Sequence, residues 1–190
     1  TINTGYDLSE GHLYGFITYS SRDNESAAFF RHNANTDGNA QLQDNDATVP
    51  HGFLPKIKTE IKDISYNVGY KTEFRNNSSF DLSYTYGKNS IDYTTRNTIN
   101  SSYANSLIYT SLLTADEIRV SIPREAFAYG LELTLQTLNL DYTKAFDWFS
   151  LAMGAELRSD EFNVQAGDEY SYRDYDTDEL GNSLYATDRG

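Results

Sequence analysis

The sequence predicts an all-β protein whose strands form an antiparallel up-and-down meander, a fragment of a large transmembrane β-barrel with long extracellular loops. Hydrophobic side chains recur at every second position over long stretches, as half-buried strands require. Short polar turns alternate along the chain with long polar connections, a rhythm typical of outer-membrane barrels. The only prolines, Pro50, Pro55 and Pro123, lie in or beside the long connections, outside the predicted strands.

The alternation is clearest in the hairpin from Ile64 to Gly87. Eight apolar side chains share one parity: Ile64, Tyr66, Val68, Tyr70, Phe80, Leu82, Tyr84 and Tyr86. Four of them are tyrosines, which suit a membrane interface because the ring meets apolar surroundings while the hydroxyl stays wet. We therefore expect these eight side chains to face lipid. Lys71 and Asp81 have the opposite parity and are expected to face a water-filled lumen or a plug.

Two further hairpins follow the same pattern. A turn around Asp7–His12 leads into a strand with Leu13, Ile17 and Tyr19 on one parity. A turn around Thr143–Trp148 joins two more alternating stretches.

We draw two further expectations from the alternating stretches on either side of the turn around Thr143–Trp148. The apolar residues change from odd to even positions between Leu135 and Leu138. A β-bulge there would keep them all on one face of the strand. After the turn, Glu156 and Arg158 occupy the polar parity, so we expect them to face the lumen and to form structural ion pairs.

Three long connections separate the hairpins and end the chain: 31–53, 94–127 and 167–190. Long connections in compact proteins usually carry function. Phe30, Arg31, Tyr93 and Arg96 lie where strands pass into these connections, so they are candidate ligand contacts. Bracing of the loops explains the same residues equally well.

Composition excludes several classes of function. The chain has 190 residues and a formal net charge of −13, which opposes nucleic-acid binding. It has no cysteine, which excludes disulfides, thiolate metal sites and cysteine nucleophiles. No serine lies in a nucleophile-elbow context, so we expect no enzyme. Thr1–His12 lacks the basic and apolar regions of a signal peptide, and no apolar run is long enough for a membrane-spanning helix.

The sequence predicts no cofactor, although two kinds of metal site are alternatives. His12 reads as a surface turn residue, whereas His32 and His51 flank one long loop and together could hold a metal or haem. Asp174, Asp176 and Asp178 alternate in a way that a Ca²⁺ site could use, but the EF-hand pattern fails at Glu179 and Tyr185. A solvated loop is favoured there, and equally at Asp37, Asp44 and Asp46.

Three segments resemble a known family. FDLSYTYGKNSIDYTTRNTINSSYA (Phe80–Ala104) and AMGAELRSDEFNVQAGDEYSY (Ala152–Tyr172) resemble barrel strands of TonB-dependent outer-membrane receptors, and YSSRDNESAAFFR (Tyr19–Arg31) resembles an early strand running into an external loop. The resemblance implies a place in the outer membrane of a Gram-negative cell and energised import of a scarce nutrient. An inner-membrane motor, the TonB complex, would act through a plug domain.

The chain departs from that family in length. Family members carry an N-terminal plug and a barrel of about 22 strands, whereas this sequence predicts five or six strands, no plug and no closing strands. Residues 1–190 are therefore expected to be a partial barrel domain. The implied partners are outer-membrane lipid, the plug and remaining strands of the full protein, the TonB complex through that plug, and a small nutrient ligand.

Two other functions fit the alternating pattern. One is a soluble β-sandwich that binds glycans, and the other is a porin that works without energy input. For an importer, carbohydrate is favoured over a ferric chelate because the long loops are rich in Asn, Tyr and Asp.

Overall fold

Six strands form one antiparallel sheet in the computed structural model, which describes residues 1–32, 48–178, 180 and 182. Each strand pairs with its neighbour in the chain, in the order β1 to β6. The strands are β1 Ile2–Leu8, β2 Gly11–Ala27, β3 Lys56–Phe74, β4 Ser78–Arg96, β5 Glu125–Ala145 and β6 Ser150–Ala166. The predicted all-β up-and-down meander is confirmed.

The short turns are tighter than predicted because backbone pairing continues almost to their tips. In the first hairpin, Leu8 is still paired with Gly11, so only residues 9–10 make the turn and His12 belongs to β2. The other two short turns are residues 75–77 and 146–149. The long connections between strands are 28–55 and 97–124.

The second long connection contains two helices, α1 Ser101–Thr110 and α2 Ala115–Ser121, and α3 Glu169–Tyr172 follows β6. Asn100 caps α1 by accepting a hydrogen bond from the backbone N–H of Tyr103. Thr114 and Glu117 form a reciprocal capping box at the start of α2. Within the described residues, no helix is long and apolar enough to cross a membrane.

The chain divides into two compact units, each built from segments that alternate along the sequence. Unit 1 comprises 1–22, 61–91 and 131–164, and unit 2 comprises 23–60, 92–130 and 165–190. The short turns belong to unit 1, and the long connections belong to unit 2. All buried hydrophobic side chains of the described residues lie in unit 2. The sheet of unit 1 therefore folds without a buried core of its own.

Side-chain contacts define two faces of the unit 1 sheet. The face that carries Tyr66 includes Tyr86, whose ring stacks on Tyr66 with 5.1 Å between centroids. We call it the Tyr66 face. The opposite Asn67 face includes Thr85, whose hydroxyl accepts a hydrogen bond of 2.8 Å from Asn67 Nδ2. Alternation then assigns every other strand residue to one face or the other.

The predicted bulge in β5 is wrong, because the side chains alternate without interruption. Thr143 lies 2.5 Å from Ser79 on the Asn67 face, and Gln136 accepts a hydrogen bond of 3.0 Å from Tyr84 on the Tyr66 face. Glu132 continues the Tyr66 face, with Oε2 lying 2.8 Å from Lys88 Nζ. A one-residue bulge would have placed Glu132 on the other face.

On the Asn67 face, the side chain of Tyr14 reaches from β2 over β3 to β4. Tyr14 of β2 lies over Gly69 of β3 and donates a hydrogen bond of 2.7 Å to Asp81 of β4. A Cβ atom at position 69 would overlap the Tyr14 ring. Glycine is therefore required at this position by the close approach of the ring.

We predict that Gly69→Ala lowers the free energy of unfolding by about 1–3 kcal/mol, as overpacking of a tight contact does. The added methyl group would push the Tyr14 ring off β3 and break its hydrogen bond to Asp81. Denaturant titration of the purified protein measures the change.

Gly87→Ala is the matched control, because position 87 is also a strand glycine on the Asn67 face. The nearest atom to a Cβ there is Ser65 Cβ at 4.0 Å. We expect Gly87→Ala to be neutral or to stabilise by up to about 1 kcal/mol. Equal losses for the two variants would mean that the Tyr14 contact has no special weight.

Candidate functional site: an uncovered apolar face and a loop cluster

The Tyr66 face of unit 1 carries all eight side chains that the sequence assigned to lipid. Val68 is 52% exposed and Leu82 is 40% exposed, and the rest are exposed or half-buried. Other strands extend the face with residues of the same kind: Leu13, Ile17, Leu138, Leu140, Leu151, Met153 and Leu157. The described residues form a single sheet, and the buried hydrophobic cluster contains none of these side chains.

Two of the four tyrosine hydroxyls in the central hairpin donate hydrogen bonds on this face. Tyr84 donates to Gln136, and Tyr70 donates to the backbone oxygen of Glu10 at 3.1 Å. Tyr66 packs between Tyr84 and Tyr86, with ring centroids 6.2 and 5.1 Å away. Tyr66, Tyr84 and Tyr86 therefore form one aromatic group on this face, and the Tyr84 hydroxyl is bonded without a covering layer.

The two faces exchange polarity along the strands of unit 1. On the Tyr66 face, the apolar positions of β4 end at Tyr86, and the next position holds Lys88, paired with Glu132. On the Asn67 face, polar side chains give way to Leu133 and Leu135. These two leucines line a shallow cavity of about 320 Å³ whose other walls include Ser65, Thr85 and Asn89.

The four residues predicted to face a lumen all lie on the Asn67 face, and Asp81, Lys71 and Arg158 have polar partners there. Asp81 accepts from Tyr14, and Lys71 Nζ lies 3.7 Å from Glu73. Arg158 Nε lies 3.0 Å from Asp160, two positions along the same strand. Glu156 lies on the same side of β6 as Gly154. A Cβ atom at position 154 would contact the side chain of Asp141, which is on the Asn67 face of β5. The lumen itself stays a prediction.

A loop cluster in unit 2 contains the buried hydrophobic residues. It is built from α1, α2 and the segments around 48–55 and 168–178. Its interior is made by Phe53, Ile99, Ala104, Ile108, Ile118 and Ile122. Arg124 lies over the Phe53 ring at 5.1 Å and donates a hydrogen bond of 2.8 Å to Asn97. Burial lowers the pKa of this guanidinium.

Asn100 attaches the segment after β6 to the start of α1. Its Nδ2 donates hydrogen bonds of 2.9 Å to the backbone oxygens of both Tyr170 and Arg173. Its backbone N–H donates to the Tyr170 hydroxyl at 2.8 Å. That hydroxyl donates in turn to Pro123 O at 2.9 Å, and burial raises the pKa of Tyr170, which keeps the donor protonated.

The four candidate ligand contacts are not brought together. Phe30 packs edge-on against His32, and Arg31 forms a backbone bridge with Phe53. Tyr93 stacks on Tyr129 with centroids 4.7 Å apart. Arg96 has the opposite parity and lies 3.2 Å from Glu125 and 3.9 Å from Glu25. These contacts brace the strand ends, and no common binding surface is formed by the four.

The predicted metal alternatives find little geometric support. His12 Nδ1 lies 2.6 Å from Asp7 Oδ1 at the first turn. Within the described part of the chain, no group of three or more His, Cys, Asp or Glu side chains is arranged to hold a metal ion. Asp178 instead accepts hydrogen bonds from the backbone N–H groups of Leu180 and Asn182. Asp37, Asp44 and Asp46 lie outside the described residues.

Comparison with known proteins identifies no relative of this chain. No protein-family model matches it, and neither a curated protein nor a solved structure does so.

We predict that Asn100→Ala loosens the segment around 168–176 and lowers the free energy of unfolding by about 2–4 kcal/mol. The variant loses a helix N-cap, which is worth about 1 kcal/mol, and two further hydrogen bonds of about 0.5–1.5 kcal/mol each. Hydrogen exchange measures the first effect as faster exchange of the Tyr175 and Asp176 amides.

Ser106→Ala is the control, because the Ser106 hydroxyl bonds only to the Tyr103 carbonyl of its own helix. We expect it to leave exchange in this segment unchanged. Unchanged exchange in Asn100→Ala as well would show that Asn100 does not hold the segment.

Proposed function

We propose that this chain forms part of the wall of an outer-membrane β-barrel that imports a scarce nutrient, of the TonB-dependent receptor class. The observation that carries the proposal is that the Tyr66 face changes from apolar to charged along the strands. An apolar, uncovered region on that face is followed by the charged pair Lys88–Glu132.

A hydrocarbon environment explains the uncovered region. Soluble monomers rarely expose contiguous apolar patches of more than a few hundred Å², whereas the apolar side chains of the Tyr66 face extend over five strands, β2 to β6. In β4, the stretch from Ser78 to Tyr86 falls at the short end of the roughly 9–11 residues that span a bilayer. Tyr66, Tyr84 and Tyr86 end this stretch as an aromatic belt does at headgroup depth.

The same face favours a barrel wall over a soluble sandwich. A sandwich buries one face of each sheet against a second sheet about 10 Å away, but the described strands form one sheet. In a membrane, the outer edges of β1 and β6 must also be paired, since unsatisfied backbone groups are too costly in hydrocarbon. We therefore expect further strands of the complete protein to pair with both edges.

The resemblance to TonB-dependent receptors supports energised import over passive diffusion. Two of the segments that carry it run from a strand into a long connection or helix: Phe80–Ala104 from β4 into α1, and Ala152–Tyr172 from β6 into α3. In this proposal the chain supplies wall and external loops and catalyses no reaction. A plug elsewhere in the protein couples to the TonB complex. Loss of import on removal of the TonB motor tests this step, and unaffected import would favour a porin.

Carbohydrate remains the favoured nutrient over a ferric chelate. Asn and Tyr side chains are frequent in the described loop cluster, where Asn100, Tyr103, Tyr170 and Tyr175 contact one another. Uptake of labelled oligosaccharides by cells with and without the protein tests the choice. Dependence of its expression and uptake on iron alone would contradict it.

We predict that Leu82→Arg destabilises the membrane-inserted protein by about 2–4 kcal/mol, the cost of arginine on a lipid-facing strand near the bilayer midplane. Reversible unfolding from lipid vesicles measures the free energy.

Ser83→Arg tests the same strand on its other face, next to Leu82, where Ser83 is half-buried and its side chain hydrogen-bonds to Tyr14. We expect it to cost no more than about 1 kcal/mol, the net worth of that hydrogen bond, because the arginine would face water and not lipid. A tolerated Leu82→Arg together with a damaging Ser83→Arg would reverse the assignment of the faces.

A further inference from the structure

Two neighbouring cavities lie on the Tyr66 face of unit 1. The first is a groove of about 350 Å³ over β1, β2 and part of β3, and we call it the apolar groove. On β1, Ile2 and Tyr6 are paired with Ile17 and Leu13, so they extend the face to a sixth strand. These four side chains and Val68 form the walls of the groove, and Gly15 leaves a gap between them.

The second cavity is a cleft of about 730 Å³ at the short-turn end of the same face, and we call it the polar cleft. Residues of the turns at 9–10 and 75–77 line it. Its apolar walls are the rings of Tyr70, Phe74 and Phe80. Its polar groups are those of Ser9, Glu10, Thr72, Glu73 and Arg75.

Tyr70 lies where the two cavities meet. Its ring covers Gly11, and its hydroxyl donates to the backbone oxygen of Glu10. Val68, at the end of the apolar groove, precedes Tyr70 by two positions on the same face. The extended strand from Val68 to Arg75 covers roughly 23 Å, close to half of the about 40–45 Å of a bilayer with its headgroups. The two cavities together therefore match one phospholipid molecule in length.

The polar cleft contains charges of both signs. Neither Arg75 nor the Glu10 carboxylate forms an ion pair with another residue of the described chain, whereas Glu73 lies 3.7 Å from Lys71. A guanidinium binds phosphate through charge-assisted hydrogen bonds. Carboxylates and the faces of aromatic rings attract an ammonium group. With one guanidinium and two carboxylates, the cleft is complementary to a zwitterionic headgroup and repels an anionic one.

We propose that the apolar groove and the polar cleft together bind one molecule of phosphatidylethanolamine. Its phosphate would lie against Arg75, its ammonium group would donate to Glu10, and one acyl chain would occupy the groove over Gly15. The ammonium group of phosphatidylcholine has no N–H donor for the carboxylate. Phosphatidylglycerol has no ammonium group and carries a net negative charge, so both lipids fit the cleft less well. This inference rests on the proposed membrane wall and names the lipid at its short-turn side.

Native mass spectrometry of the intact, delipidated protein tests the site. The protein is released from detergent micelles that contain equal amounts of the three phospholipids with identical acyl chains. We expect one retained lipid per protein. Phosphatidylethanolamine should bind about tenfold more tightly than either of the others, at the lower end of what a charge-assisted hydrogen bond contributes.

Arg75→Gln tests the polar cleft, because it removes the charge that would bind the phosphate. It should weaken phosphatidylethanolamine binding by about tenfold. Arg158→Gln is the matched control, since Arg158 lies on the Asn67 face and pairs with Asp160. We expect it to leave the retained lipid unchanged.

Thr4→Phe tests the apolar groove, because Thr4 lines it and is paired with Gly15. The added ring would fill the gap and should weaken the binding of all three lipids by about tenfold, the worth of about two buried methylene groups. Asn3→Phe is its control, since alternation places the same ring on the opposite face of β1. It should have no effect on lipid binding.

Equal retention of the three lipids by the parent protein would overturn the proposal, and so would binding that survives either Arg75→Gln or Thr4→Phe. If a variant fails to fold, hydrogen exchange of the parent protein decides the question. Phosphatidylethanolamine should slow the exchange of the amides at 9–11 and 75–77 more than phosphatidylglycerol does, and equal exchange would overturn the site.

The lipid site and the proposed membrane wall fail separately. Leu82 lines neither cavity, so the cost of Leu82→Arg in lipid vesicles tests the wall alone. A large cost of Leu82→Arg together with unselective lipid retention would overturn the site and leave the wall intact.

Discussion

A single sheet, whose backbone is paired strand to strand, presents a broad apolar face that no other part of the described chain covers. Each of β2 to β5 has a hydrogen-bonded neighbour on both sides, although β1 pairs with β2 only from Gly11 to Ile17, so the meander needs no second layer to pair its inner strands. Its apolar side chains still require an apolar environment. The buried hydrophobic residues of the described chain all lie in unit 2, so unit 1 gains no such environment from its own fold.

The sequence predicted the meander and the shared face of the central hairpin correctly because period-two alternation is a local signal. The side chains of Tyr66 and Tyr86 meet across β3 and β4 because strand geometry alone places them there. The change of parity between Leu135 and Leu138 was also visible, but a bulge was the wrong reading of it. That reading assumed that one face stays apolar along the whole strand. In the structure the strand is continuous, and the face is polar at Glu132 and apolar at Leu138.

The loop cluster was much harder to predict, because its contacts join residues about seventy positions apart. The capping box of Thr114 and Glu117 is a local motif that could have revealed α2. No local signal indicates that Asn100 would hold the backbone of Tyr170, or that Asn105 would be buried against Asp176. Strand alternation also explains why the candidate ligand contacts are not brought together. Tyr93 and Arg96 are close in sequence, but strand alternation directs them to opposite faces.

The most direct test of the central claim is a spin-label scan along β4 in the intact protein in lipid vesicles. The chain has no cysteine, so single labels can be introduced at 82, 83, 84, 85, 88 and 89 without background. We expect high collision rates with oxygen, which partitions into lipid, at 82 and 84 and low rates at 83 and 85. At 88 the label should instead collide with a water-soluble nickel chelate. Nickel access at 82 and 84 equal to that at 88, or oxygen access that does not alternate along the strand, would contradict it.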